Sequence, residues 1–189
     1  MITIEDSAEL QIRNVDNLVR LEARNANVEG KNEVTIRSLV KSALRMRPDR
    51  IIVGEIRDSA AIDMLTAYNT GHDGSLSTGH ANSPADMLNR METLVLMGLD
   101  IPLAAIRQQI ASGIDILIHL GRLRDKSRKV LEITEIGDVI DGKIELNPLF
   151  CFEEEDEKNG KVIGKLKRTS NKLKSTDKLQ RAGIGLEDI

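Results

Sequence analysis

Aromatic side chains make up only 2% of this chain, and tryptophan is missing altogether. A groove that stacks bases on rings is therefore poorly supplied, which argues against single-stranded nucleic acid as a ligand. Charge argues the same way. Lys+Arg 27 against Asp+Glu 30 leaves a formal net charge of -3, so no global field draws in a phosphate backbone. The single cysteine, Cys151, cannot form an internal disulfide, and the start shows no basic-then-apolar leader pattern. Both features predict a cytoplasmic protein. No apolar run approaches the ~20 residues that span a bilayer, so membrane association is expected to be peripheral, through a partner.

What is present fits one globular domain with a sizeable core and a short appendage: 189 residues, 40% hydrophobic and 30% charged. Strand-like and helix-like segments alternate through residues 1–122, the pattern of a parallel sheet flanked by helices. Strands are predicted over 2–5, 18–23 and 51–53, and again between Gly74 and Gly79. Helical spacing of Ile36, Leu39, Val40, Ala43 and Leu44 predicts a helix that Pro48 ends. Others are predicted from Ser59 to Asn69, after Ser83-Pro84, and from Pro102 to Gly113. From about residue 114 the pattern turns to alternating strands over 114–120, 129–136 and 143–152, an antiparallel β extension. An acidic run, Glu153 to Glu157, then leads into a basic tail with a short strand and helix over 153–189. Met1-Ile2-Thr3-Ile4 reads as the start of a buried strand, which predicts further polypeptide upstream.

In open parallel sheets ligands bind beyond the carboxyl ends of the strands. Glu5-Asp6, Gly54-Glu55 and His80 each close a predicted strand. Two carboxylates and an imidazole on one rim could hold Mg²⁺ and orient a water for attack on a phosphate. Each also has a plain structural reading: a solvated strand end for Glu55, a turn cap for Glu5 or Asp6, a satisfied structural histidine for His80. His72 precedes the Gly74–Gly79 strand and His80 follows it. At ~3.3 Å per residue they would lie roughly 20 Å apart on opposite edges, which disfavours a metal-dependent hydrolase built from His72, Asp73 and His80. Arg37, Lys41 and Arg45 form a basic stripe four residues apart, the usual mark of a solvated helix face.

Three segments in order resemble the type II and type IV secretion and pilus-assembly ATPases, with wording closest to the tight-adherence pilus subgroup. Ile2-Thr3-Ile4-Glu5-Asp6-Ser7-Ala8-Glu9-Leu10 is similar to an Asp box. Arg47-Pro48-Asp49-Arg50-Ile51-Ile52-Val53-Gly54-Glu55-Ile56-Arg57-Asp58 resembles the atypical Walker B segment, with glycine where most such motifs keep aspartate. The stretch from Thr70 to Pro84, with His72 and His80, resembles the His box. The resemblance implies a RecA-like P-loop NTPase core over 1–122, an antiparallel extension over 123–152, and a hexameric ring binding ATP and Mg²⁺ between subunits. It also implies work beside an inner-membrane platform protein. Glu55 would position the attacking water near the metal, Glu5 would stand beside metal and γ-phosphate, and His80 would sense that phosphate. Asp6, His72, Arg37, Arg45 and Arg57 would line the nucleotide.

The family carries a G-x-x-x-x-G-K-[ST] loop upstream of the Asp box, and no such segment occurs in these 189 residues. The first P-loop strand is missing with it. Alone, the polypeptide is expected to hydrolyse ATP poorly or not at all. A non-enzymatic part that joins or blocks a ring of full-length subunits is the alternative.

Overall fold

The computed structural model describes residues 1–185; residues 186–189, the end of the tail expected over 153–189, lie outside the described residues. Contacts divide the chain into two compact units. Met1–Ala81 with Met87–Gly113 form the first, and Asn82–Asp86 with the residues from Ile114 onward form the second. The strand over 116–122, at the end of the first domain in the sequence, pairs with the antiparallel strands instead.

The first unit is built on a parallel sheet of β1 (Ile2–Glu5), β2 (Val19–Glu22), β3 (Ile51–Val53) and β4 (Leu76–Ser77) in the order β2-β1-β3-β4. β1 is the spine: every one of its residues is buried, and Ile2 aligns with Val19 on one side and Ile51 on the other. A strand covered on both faces reads as a continuous β-branched run, and Ile-Thr-Ile is such a run.

α1 (Ile36–Arg45) starts where the Thr35 hydroxyl accepts the Ser38 N–H at 3.1 Å. Its Ile36, Val40 and Ala43 go into the core. α2 (Ala60–Tyr68) is apolar on most sides and buries Ala61, Met64 and Leu65 almost completely. α3 (Pro84–Leu96) begins with the Ser83 hydroxyl accepting the Asp86 N–H at 3.1 Å. α4 (Leu103–Gly113) buries Ile106 and Ile110. β4 is shorter than the six-residue strand predicted there. Gly74 takes a left-handed conformation (φ +76) and Leu76 is mostly exposed, so only two residues pair at this edge.

The second unit is an antiparallel meander, β5 (Ile116–Arg122), β6 (Arg128–Ile140), β7 (Lys143–Lys158) and β8 (Lys161–Arg168), paired in that order. The acidic run and the basic stretch after it are the two arms of one hairpin. Glu153 aligns with Lys165, and Lys167 meets Glu153 at 2.9 Å and Glu155 at 3.3 Å. Asn159 (φ 52) and Gly160 (φ 71) form its turn, the left-handed pair that two-residue hairpins prefer.

Beyond β8 the chain crosses back over this sheet. Thr169 N–H reaches Leu149, Asn147 Nδ2 donates to the Lys172 carbonyl at 2.9 Å, and Lys178 pairs with Asp115 at 2.9 Å. The buried Glu135 carboxylate anchors the crossing, accepting from Ser175 N at 2.6 Å, Lys174 N at 3.0 Å and Asn147 Nδ2 at 2.7 Å. α5 (Asp177–Arg181) follows. Among the described residues no helix is long and apolar enough to cross a membrane.

Candidate functional site

The strand order fixes where a ligand has room. From β1 the chain passes to β2 on one side; from β3 it passes through α2 to β4 on the other. The connections diverge above β1 and β3, and sheets of this kind bind ligands in the crevice at such a divergence, beyond the carboxyl ends of the two strands. Glu5 ends β1, and Gly54-Glu55 follow β3. The two acids therefore flank the crevice from adjacent strands.

Gly54 N–H continues the pairing by donating to the Ile4 carbonyl at 2.8 Å. Glu5 is buried against it, and its Oε1 accepts the N–H groups of Glu9 and Leu10, each at 3.0 Å. That carboxylate pins the start of the loop leaving β1. Glu55 is held by two side chains. His80 Nε2 stands 2.9 Å from its Oε1, while the Arg57 guanidinium grips Oε2 and lies 3.9 Å from Asp6. The hydrogen bond to Glu55, and then its charge, hold Arg57 above its ordinary pKa, so the guanidinium stays charged at any working pH. Exposure is graded across the trio: Glu55 keeps 15% of its side chain open, Arg57 63% and His80 82%.

Glu5, Asp6, Glu55, Arg57 and His80 thus gather within this chain. The other expected residues stand elsewhere. His72 closes α2: its Nδ1 lies 3.0 Å from the Ala67 carbonyl, which can only accept, so the hydrogen sits on that nitrogen. The His72 carbonyl binds the Ser75 hydroxyl, which in turn caps Ile51 N–H at the start of β3, the edge opposite Glu55. Arg37 is engaged by Asp63 of α2 at 2.6 Å, with Lys41 on the same carboxylate at 3.4 Å. Neither Arg37 Nε nor Asp63 Oδ2 has an aligned hydrogen-bond partner, so this contact is ionic. Arg45 is exposed in the last turn of α1, which descends toward the start of β3 and away from the crevice. Asp63 is the residue the sequence pattern hides. It lies eighteen positions beyond Arg45 on another helix, with no motif around it.

The donor set suits a hard cation bound with phosphate: carboxylate oxygens from two strands at the mouth of a crevice. Both Glu55 oxygens already have a partner, His80 Nε2 on one and the Arg57 guanidinium on the other, so a metal or water there has to share or displace one. Among the described residues no three His, Cys, Asp or Glu side chains gather as a metal cage.

Residues 1–173 match the family described as Type II/IV secretion system protein. The chain belongs to the type II/IV secretion ATPase family. A Mycobacterium tuberculosis protein named for conjugal transfer is 50% identical over 134 residues, 70% of this chain and 37% of that protein. Protein VirB11 of Rhizobium radiobacter is 36% identical over 146 residues, 76% of this chain and 41% of its own length. The crystal structure of the VirB11 ATPase from the Brucella suis type IV secretion system, in complex with sulphate, superposes with a TM-score of 0.62 at 31% identity. That match covers 71% of this chain and 39% of the Brucella chain. The parallel sheet with its helices and the antiparallel sheet are accordingly those of the RecA-like secretion ATPase fold. The chain spans well under half the length of the curated relatives it matches.

Proposed function

We propose that this chain is the catalytic carboxyl-terminal part of a hexameric ATPase that powers pilus assembly or protein secretion. What supports this is the His80–Glu55 contact at 2.9 Å beyond β3, with Glu5 of β1 packed against the adjoining Gly54. Glu55 is the group that orients the attacking water and takes its proton, released from Arg57 and His80 as phosphate arrives. Glu5 holds two N–H groups with one oxygen and would offer the other to the metal. His80 is exposed enough to leave Glu55 and donate to a phosphate oxygen. Arg57 and Asp6 set the charge at the rim. Mg²⁺, when bound with the nucleotide, supplies neutralisation of the phosphate charge beside Glu5 and Glu55. Arg37, Arg45 and His72 act from a neighbouring subunit's side of the nucleotide.

Partners in this account are further copies of the chain's own protein and a platform protein at the cytoplasmic face of the inner membrane, with no nucleic acid. The phosphate grip is contributed by polypeptide outside these 189 residues, since no glycine-rich lysine loop lies within them. The same fact favours a second reading, in which the chain joins or blocks a ring of full-length subunits without turning over ATP. Steady-state ATP turnover with Mg²⁺, by the purified chain and by rings that contain it beside full-length subunits, separates the cases. Background turnover by the chain alone, with turnover in the mixed rings that falls on Glu55→Gln, supports a catalytic part that needs a partner; mixed rings indifferent to Glu55→Gln support the second reading. Strong turnover abolished by Glu55→Gln makes the chain self-sufficient and overturns that dependence.

A further inference from the structure

β3 and β4 pair only through Ile52 with Leu76 and Val53 with Ser77, so the ladder stops before Glu55. Gly54 has no side chain to anchor it. Yet Glu55 has to present its carboxylate at a fixed place. On the β1 side the Gly54 N–H is held by Ile4 at 2.8 Å. On the β4 side a single residue does the holding. The Thr78 hydroxyl donates to the Gly54 carbonyl at 2.6 Å, and the Thr78 carbonyl accepts the Ile56 N–H at 3.0 Å. The first of these belongs to the peptide group before Glu55 and the second to the one after it. Two residues further on, His80 meets the Glu55 carboxylate at 2.9 Å.

We propose that Thr78 is a positioning residue for Glu55, clamping both flanking peptide groups so that the carboxylate faces the crevice within reach of His80. This rests on the role given to Glu55 above. Thr78 is exposed; a serine keeps both arms of the clamp, and an isosteric valine removes the hydroxyl arm to Gly54 while leaving the main-chain bond to Ile56.

The test uses the whole 189-residue chain, isotope-labelled, in Thr78→Val, Thr78→Ala and Thr78→Ser, with Glu55→Ala as the reference for a His80 without its carboxylate. In Thr78→Val and Thr78→Ala the His80 ring signal moves toward its position in Glu55→Ala. Exchange of the Ile56 amide, whose own bond to the Thr78 carbonyl remains, rises by up to about tenfold through loss of the one hydroxyl bond that seats residue 78 against Gly54. Thr78→Ser keeps both at their original values, and the melting transition changes little throughout. The proposal is overturned if His80 and Ile56 do not move, or if serine fails as valine does. It is equally overturned if valine and alanine both unfold the chain, which would make Thr78 a fold residue. The two ideas fail separately. ATP turnover that survives Glu55→Gln, in rings that contain the chain beside full-length subunits, removes the role of Glu55 and leaves the His80 and Ile56 shifts standing.

Discussion

Glu5 occupies the space that a side chain at position 54 would need. A methyl group on Gly54 would stand 3.0 Å from Glu5 Cγ and 3.5 Å from its Cβ. The glycine is thus a packing requirement of the acid on the neighbouring strand.

Gly54→Ala therefore forces Glu5 outward or shifts β3. Overpacking of this kind costs about 1–3 kcal/mol. Denaturant unfolding should show that loss, and the Glu9 and Leu10 amides, both held by Glu5, should lose exchange protection first.

Arg37 and Lys41 share Asp63, whose side chain is only 14% exposed. Asp63→Ala leaves two cations without their partner at the α1–α2 contact. Arg37 itself is part-solvated, so the expected destabilisation is about 1 kcal/mol. A urea midpoint measures it. An unchanged midpoint would show that the pair contributes nothing to joining the two helices.

In the second unit the Glu135 carboxylate sets an acid limit. Burial pushes its pKa up, but the N–H groups of Ser175 and Lys174 and the Asn147 amide outweigh that and hold it below its ordinary value. A carboxylate lowered in the folded state stabilises above its unfolded pKa, and the contribution fades as pH falls through the folded one. The crossing at Lys174 and Ser175 should therefore stay protected from exchange at neutral pH and loosen only below the usual carboxylate range. Glu135→Ala should loosen it at every pH and cost about 2–4 kcal/mol, because three donors lose their acceptor. Thermal melts and amide exchange across pH check both.

The Asn159-Gly160 turn puts both residues at positive φ. Gly160→Val should cost about 1–2 kcal/mol through the left-handed strain of a β-branched residue, read as a lower melting temperature. Gly160→Asn should cost much less.

The crevice was legible because short-range signals place its parts. Ile-Thr-Ile before Glu5 and Ile-Ile-Val before Glu55 are β-branched runs ending in acids, and parallel alternation puts such ends on one rim. His80 follows from the same logic. What stayed hidden depends on residues far apart in sequence. Asp63 reaches Arg37 across two helices, and Glu135 takes its partners from positions near 147 and 174; neither leaves a periodic trace. The β7–β8 hairpin carried a usable signal in Asn159-Gly160, but the opposite charge of its arms reads as a tail. The predicted Gly74–Gly79 strand shrank to two residues because the composition of an edge does not reveal how much of it finds a partner.

The central claim is that Glu55 performs the water-directing step once phosphate is gripped by other polypeptide. The most direct measurement is Mg²⁺-dependent ATP turnover by a chimaera that joins the 189-residue chain to the amino-terminal part of the Brucella suis VirB11 ATPase, in place of the segment it matches. Loss of the carboxylate in Glu55→Gln should cut turnover by about 10²–10⁴-fold while nucleotide still binds. Turnover unchanged by Glu55→Gln, in a chimaera that hydrolyses ATP, would contradict it.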